Sequence, residues 1–357
     1  MSKFLTDKLQ RLVPYVPGEQ LNDRTYIKLN TNESPFPPSP LAVKMAAEEG
    51  ARLMLYPDPD VSDLIDEIAE YYGVSRQNVI ATNGSDEVLD FAFKAYVDKA
   101  RPALFANHTY GFYKVFAEAN DVPYAEIALK PDFSIDVNDY IAQNGTVFIA
   151  NPNAPTGLAL PLTEIERLVA SNPNRIVVVD EAYVDFGAES AVRLTLKYDN
   201  LLVTQTFSKS RSMAGARLGF GIASKAIIDD LNRIRYSVNP YNVNRMTACA
   251  GIGAIRDDAY FKANCAAIIK NREWTIARLK ELGFECTDSM ANFVFAKSGK
   301  IGGKALYQGL KNLGVLVRHF DKDGIRDYVR ITIGSEREMQ ILIEKINNVL
   351  ENGYENV

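Results

Sequence analysis

The chain has 357 residues, 47% of them hydrophobic and 24% charged, which is ordinary for a globular protein with a large core. A formal net charge of −5, from 45 acidic against 40 basic side chains, comes with no concentrated basic stripe and argues against a nucleic-acid partner. The apolar runs are strand-sized and far below the roughly 18 residues of a membrane span, and the amino terminus carries no apolar signal-like core. Cys249, Cys265 and Cys286 form no close pair and His108 and His319 are the only histidines, so neither a disulfide framework nor a zinc site is expected. A reducing cytoplasmic setting fits.

Residues 1–40, rich in Pro and Asn around NTNESPFPPSP, read as an extended arm. Helical patterns follow over 40–53 and 61–72, separated by the turn YPDPD. From residue 78 the pattern repeats strand, loop, helix. Short apolar strands are expected at 79–81, 103–105, 147–150, 176–179, 201–204 and 218–222. Such strands, separated by helical segments, are what a parallel sheet covered on both faces requires. Polar residues follow the strands at 83–85, 151–157, 180–183 and 206–209, the edge where ligands bind in an open α/β sheet. After Ser224 the texture changes. A long helix is expected over 258–282, about 37 Å at 1.5 Å per residue, stopped by Gly283. Strands at 292–296, 315–318 and 328–332 then mix with helices at 303–312 and 336–350. The expected division is a large domain over 41–250 and a small α+β domain made of 1–40 and 251–357.

Three segments carry chemistry. In TQTFSKSRSMAGARLGFG, Lys209 stands just beyond a buried strand, where desolvation lowers an amine's pKa and frees it to form an imine with an aldehyde cofactor. Thr206, Ser208 and Arg217 surround it with donors suited to a phosphate; the alternative is a solvent-facing lysine after an edge strand. In IVVVDEAYVDF, Asp180 ends an apolar strand, and a pyridinium nitrogen would compensate its charge and act as an electron sink. Tyr183, three residues on, could reach a phenolate oxygen. A metal ligand or a helix cap remains the competing reading of Asp180. In ATNGSDEVL, Gly84 and Ser85 open a helix whose free amides face an anion, or simply cap it. This is neither a P-loop nor a dinucleotide fingerprint.

TNESPF, YPDPD, NGSDEVL, YGFY, NPNAPTG, VVVDEAY, TFSKS, AGARLG and YVRITIG run in one order across nearly the whole chain. In that order they resemble the fold-type I pyridoxal-phosphate aminotransferases, and within them the histidinol-phosphate aminotransferase subgroup. The resemblance implies an α/β fold with a large, mostly parallel sheet and a smaller α+β domain. It implies pyridoxal 5′-phosphate as cofactor, linked to Lys209, with Asp180 on the pyridine nitrogen, Tyr183 on the phenolic oxygen and Tyr110 stacked on the ring. Gly84, Ser85 and Asp86, through main-chain groups, join Thr206, Ser208 and Arg217 around its phosphate. Arg330, with Arg318 and Tyr15, would meet the phosphate of histidinol phosphate, 2-oxoglutarate being the amino acceptor and glutamate the co-product. A homodimer is implied, with Tyr56 completing the partner's site. One departure stands out. Ala154 occupies the position from which the family's usual NPNNPTG places an asparagine on the cofactor's ring oxygen, so Tyr183 or water must carry that contact. The nearest alternative activity is an aromatic amino-acid aminotransferase.

Overall fold

The computed structural model describes residues 2–21, 23 and 25–353. The arm adds a first short strand, β1 (Ile27–Lys28), after mostly irregular chain. The helices Pro40–Glu49 and Ser62–Tyr72 follow, the first capped by Ser39, whose side chain accepts from the Leu41 and Ala42 amides, with Pro40 at its first turn. The central sheet then begins: β2 (Val79–Thr82), β3 (Ala103–Ala106), β4 (Tyr124–Ile127), β5 (Thr146–Ala150), β6 (Val177–Asp180), β7 (Leu201–Thr206) and β8 (Gly219–Ala223). Its spatial order is β2-β8-β7-β6-β5-β3-β4. All neighbours from β7 to β4 pair in parallel, whereas β8 runs antiparallel to both β7 and β2. The expected mostly parallel sheet is present. The reversal at β8 follows from its connection: residues 207–218 hold no crossover helix, which a parallel return would need.

The strands read as continuous apolar runs because both sheet faces are covered. Val177 and Val179 of β6 pack into one buried cluster with Val147, Ile149, Leu201 and Val203. Val178 points the other way, into a second cluster with Phe105, Phe148 and Leu202. Burying each such side chain stabilises the fold by about 1.5–3 kcal/mol, and their alternation fixes the register of the residue that ends the strand. Asp180 therefore shares a face with Val178, and Glu181 turns to the opposite side.

Two helices that the sequence pattern did not reveal, Lys225–Val238 and Arg245–Arg256, follow β8. The long helix spans Asp258–Glu281, and the second lobe is built from β9 (Phe284–Cys286), β10 (Phe293–Ser298), β11 (Val315–Leu316), β12 (Arg318–His319) and β13 (Tyr328–Thr332). A four-stranded sheet runs β12-β13-β10-β9, and β1 pairs in parallel with β11, which fastens the arm to this lobe. The helices Gly303–Asn312 and Glu336–Asn352 cover it; the latter opens with a capping box between Ser335 and Glu338. Leu29, Ile268, Val294, Leu306, Ile331 and Leu342 share its core. Among the described residues no helix is long and apolar enough to cross a membrane, and no cluster of His, Cys, Asp and Glu could hold a metal ion. Cys249, Cys265 and Cys286 are free thiols.

Candidate active site

The carboxyl ends of β5, β6 and β7 open into a cavity of about 370 Å³ lined by Ser85, Asp86, Tyr110, Asp180, Tyr183, Thr206, Ser208, Lys209 and Arg217. Nine of the positions singled out in sequence thus converge on one region; Gly84 stands immediately before Ser85 in the chain. The larger groove of about 730 Å³, between residues 130–137 and 285–288, contains neither Lys209 nor Asp180 and is a separate surface.

Lys209 lies three residues beyond β7, and its ammonium donates to the Thr31 carbonyl at 3.3 Å. Burial, reinforced by the Arg330 guanidinium, brings its pKa down to about 8. The competing reading, a solvent-facing lysine after an edge strand, does not hold: β7 lies inside the sheet and Lys209 lines the cavity. Asp180 is buried at the end of β6, where it accepts from the Tyr113 hydroxyl at 3.0 Å and from the Ala182 amide at 3.2 Å. Burial pushes its carboxyl up to about 6 against the lowering effect of the Tyr113 bond. Among the described residues it belongs to no group of side chains that could hold a metal ion, and it lines the cavity. Nothing local in the sequence marks Tyr113 for this contact. It is fully buried and lies 67 residues away in sequence, a long-range contact that only the fold supplies.

Glu181, next in the chain, faces a different network. It accepts from Ser190 Oγ, the Ala191 amide and Gln205 Nε2, and burial raises its pKa to about 7. Its partners satisfy it internally, which separates it from the cavity chemistry.

The phosphate-sized end of the cavity is built from backbone. Gly84 precedes the helix Ser85–Tyr96 with φ +80°, and a Cβ there would approach Arg217 Nη2 at 2.8 Å. A Cβ on Gly219 would come within 2.2 Å of the Ser85 amide nitrogen, so β8 and the helix start can meet only through glycine. Thr206 Oγ1 donates to Ser208 Oγ at 3.0 Å, and Arg217 Nη1 approaches that same oxygen at 3.4 Å. The Asp86 side chain is engaged as well: it accepts from Tyr110 at 2.8 Å and pairs with Arg217 at 3.1 Å. Free helix amides, two hydroxyls and a guanidinium suit a phosphate dianion. With the amine of Lys209 and the buried carboxylate of Asp180, the donor set fits a phosphorylated pyridine aldehyde.

A second cavity of about 540 Å³ continues outward and shares Tyr110, Tyr183 and Lys209 with the first. Tyr15, Arg318 and Arg330 all line it. Arg318 and Arg330 are directly opposed in the β12–β13 register. Arg330 donates to the Asn30 carbonyl at 3.0 Å and lies over the Phe293 and Phe320 rings, while its buried Nε has no partner. Arg318 donates to the carbonyls of Val16 and Pro17 at 3.0 and 3.2 Å, which holds the arm across the opening. The Tyr15 ring rests against Phe112, centroids 4.5 Å apart. Apart from Gly84, Tyr56 is the singled-out residue that does not line these cavities within its own chain. It is 77% exposed and its ring stacks on Tyr241 at 4.7 Å. Asn153 is likewise turned away, bridging Thr109, the His108 carbonyl and Thr156.

Residues 24–346 match the family described as aminotransferase class I and II. The histidinol-phosphate aminotransferase of Brachyspira hyodysenteriae is 50% identical over 354 residues, 99% of this chain and 100% of the relative. The chain belongs to the histidinol-phosphate aminotransferases. The corresponding enzyme of Clostridium beijerinckii is 45% identical over 353 residues, 99% of each chain. The fold is likewise that of the Sinorhizobium meliloti histidinol-phosphate aminotransferase solved in complex with pyridoxal-5′-phosphate, with a TM-score of 0.90 at 23% identity and 98% of both chains covered.

Proposed function

We propose that the chain transfers an amino group between L-histidinol phosphate and 2-oxoglutarate, giving imidazole acetol phosphate and L-glutamate in histidine biosynthesis, with pyridoxal 5′-phosphate as cofactor. The observation that carries the reading is the adjacency of two anion sites: the backbone cradle at Gly84–Asp86, and the opposed Arg318–Arg330 pair beyond Lys209. Like charges facing each other across strands destabilise by up to about 1 kcal/mol, and a bound substrate anion removes that repulsion.

The bound cofactor supplies the electron sink for the negative charge released when a C–H bond of the substrate amine breaks. Lys209 Nζ anchors it, then takes the proton from the amine-bearing carbon and returns it. An amine pKa near 8 makes a useful neutral fraction available near neutrality. The Asp180 carboxylate, aligned by Tyr113 and the Ala182 amide, holds the ring nitrogen protonated. Thr206, Ser208, Arg217 and the Ser85 amide hold the cofactor phosphate, and Tyr110 covers the ring. Arg318, Arg330 and Tyr15 receive the substrate phosphate; the carboxylates of glutamate and 2-oxoglutarate use the same guanidinium groups. The active unit is a homodimer in which Tyr56, exposed beside the stiff YPDPD turn, reaches the partner's cofactor phosphate.

The test is a single half-reaction screen. Holoenzyme is mixed with histidinol phosphate, phenylalanine or tyrosine, and conversion of the bound cofactor to its amine form is followed spectrophotometrically. Fastest conversion with histidinol phosphate supports the reading. A preference for phenylalanine or tyrosine assigns the chain to aromatic amino-acid transamination instead.

A further inference from the structure

Ala154 forms part of the inner cavity wall beside Tyr183, with Ala291 and Phe293 behind it. A methyl group donates no hydrogen bond, so on this wall the Tyr183 hydroxyl is the donor left for an oxygen on the cofactor ring. The structure shows what aims that hydroxyl. Asn32 is 1% exposed, has a left-handed backbone at φ +57°, and donates from Nδ2 to Tyr183 Oη at 2.9 Å. Its other groups are all tied down. The Asn32 amide donates to Thr332 Oγ1 at 2.9 Å, Thr332 Oγ1 donates to Asn32 Oδ1 at 3.1 Å, and the Asn32 carbonyl accepts from Asn292 Nδ2 at 3.0 Å. A threonine hydroxyl has one proton; spending it on Oδ1 turns Nδ2 toward Tyr183.

We infer that Asn32 is a positioning residue for the reaction: it occupies the acceptor side of Tyr183 Oη and thereby commits the tyrosine's proton to the ring oxygen of the cofactor, the contact that Ala154 cannot make. The clamp comes from the arm and from β13, elements separate from the 151–157 loop that carries Ala154. It rigidifies one donor where a second is missing. The T-shaped packing of Tyr183 on Phe293, centroids 5.1 Å apart, fixes the ring plane and leaves the hydroxyl direction to Asn32.

This inference rests on the cofactor assignment made above, and the wild-type titration tests that assignment separately. The readout is the pH midpoint of the visible absorbance change of bound cofactor, measured without substrate. Loss of the proton on the lysine–cofactor link leaves negative charge on the ring oxygen, so a donor there favours the deprotonated form. Weakening the donor must therefore raise the midpoint. Asn32→Ala is expected to raise it by at least about one pH unit, a tenfold change in proton affinity. Asn32→Asp, which keeps the shape but can only accept, should raise it as much or more by capturing the Tyr183 proton. Tyr183→Phe sets the ceiling: adding Asn32→Ala to it should shift the midpoint no further, because the two residues act as one unit. Ala154→Asn in the Asn32→Ala background should bring the midpoint back down by restoring a donor. Where Asn32→Ala does not yield holoenzyme, Thr332→Val, which removes the group orienting the amide, carries the same expectation. An unchanged midpoint in correctly folded Asn32→Ala or Asn32→Asp, or a shift that adds fully to that of Tyr183→Phe, overturns the inference. A wild-type protein with no titrating visible band overturns the cofactor assignment itself.

Discussion

Arg318→Ala separates the two things that this arginine does. Its guanidinium donates to the Val16 and Pro17 carbonyls and so holds the arm across the outer cavity, and it stands opposite Arg330 where the substrate phosphate is proposed to bind. The arm bonds are partly exposed and neutral at the acceptor, so their loss costs little and weakens every substrate alike. The phosphate contact is charge-assisted, contributing about 1.5–3 kcal/mol, which is about 10- to 150-fold in kcat/KM. Only histidinol phosphate offers that phosphate. The expected outcome is a 10- to 150-fold larger loss for histidinol phosphate than for phenylalanine, read from steady-state kcat/KM with both amines under one condition. Arg318→Lys should recover part of the difference, since an ammonium restores charge without the bidentate fork. Equal losses for both amines would show that Arg318 serves the arm alone and that the distal selector is elsewhere.

Asp180→Asn keeps the shape that Tyr113 and the Ala182 amide hold but removes the charge; single-turnover rates should fall by more than tenfold, roughly 1.4 kcal/mol, with circular dichroism unchanged, and a smaller loss contradicts the ring-nitrogen role. Because the neutral amine is the nucleophile and burial brings Lys209 from 10.5 down to about 8, capture of pyridoxal phosphate by cofactor-free protein should accelerate from pH 6 through about 8 and level off above; a rise that continues to 10 places the lysine in an ordinary environment. Mixing Tyr56→Phe with Lys209→Ala chains under exchange should recover activity well above either parent, as one site of each heterodimer then carries neither lesion; no recovery, with Tyr56→Phe clearly impaired alone, shows that Tyr56 acts within its own chain.

Much of the site was legible in sequence because it is local. Asp180 follows three buried valines and Lys209 follows a six-residue buried strand; each is a charged residue at the end of an apolar run, a pattern with few inexpensive explanations, while Gly84 opens a helix directly after β2. What escaped was non-local or weakly patterned. β4 carries Glu126 and is only partly buried at the sheet edge, so its four residues lack the apolar continuity of the inner strands. The helix Lys225–Val238 buries Ile227, Ile228, Leu231 and the arginine Arg235, a charged residue on the inner face that blurs its apolar stripe. Tyr113 and Asn32 touch the chemistry only through partners 67 and 151 positions distant, and one tyrosine among 18 has no local mark of that role. The reversal of β8 was available from the missing crossover helix between residues 207 and 218, a topological cue rather than a pattern of residues.

The central claim is that Lys209 is the residue that holds the cofactor and moves the proton. Reducing holoenzyme with borohydride and mapping the modified peptide by mass spectrometry tests it most directly. The account predicts that the label is confined to the peptide containing Lys209 and disappears in Lys209→Ala, with multiple turnover abolished in that variant. Stoichiometric labelling at any other lysine, or sustained turnover by Lys209→Ala, contradicts it.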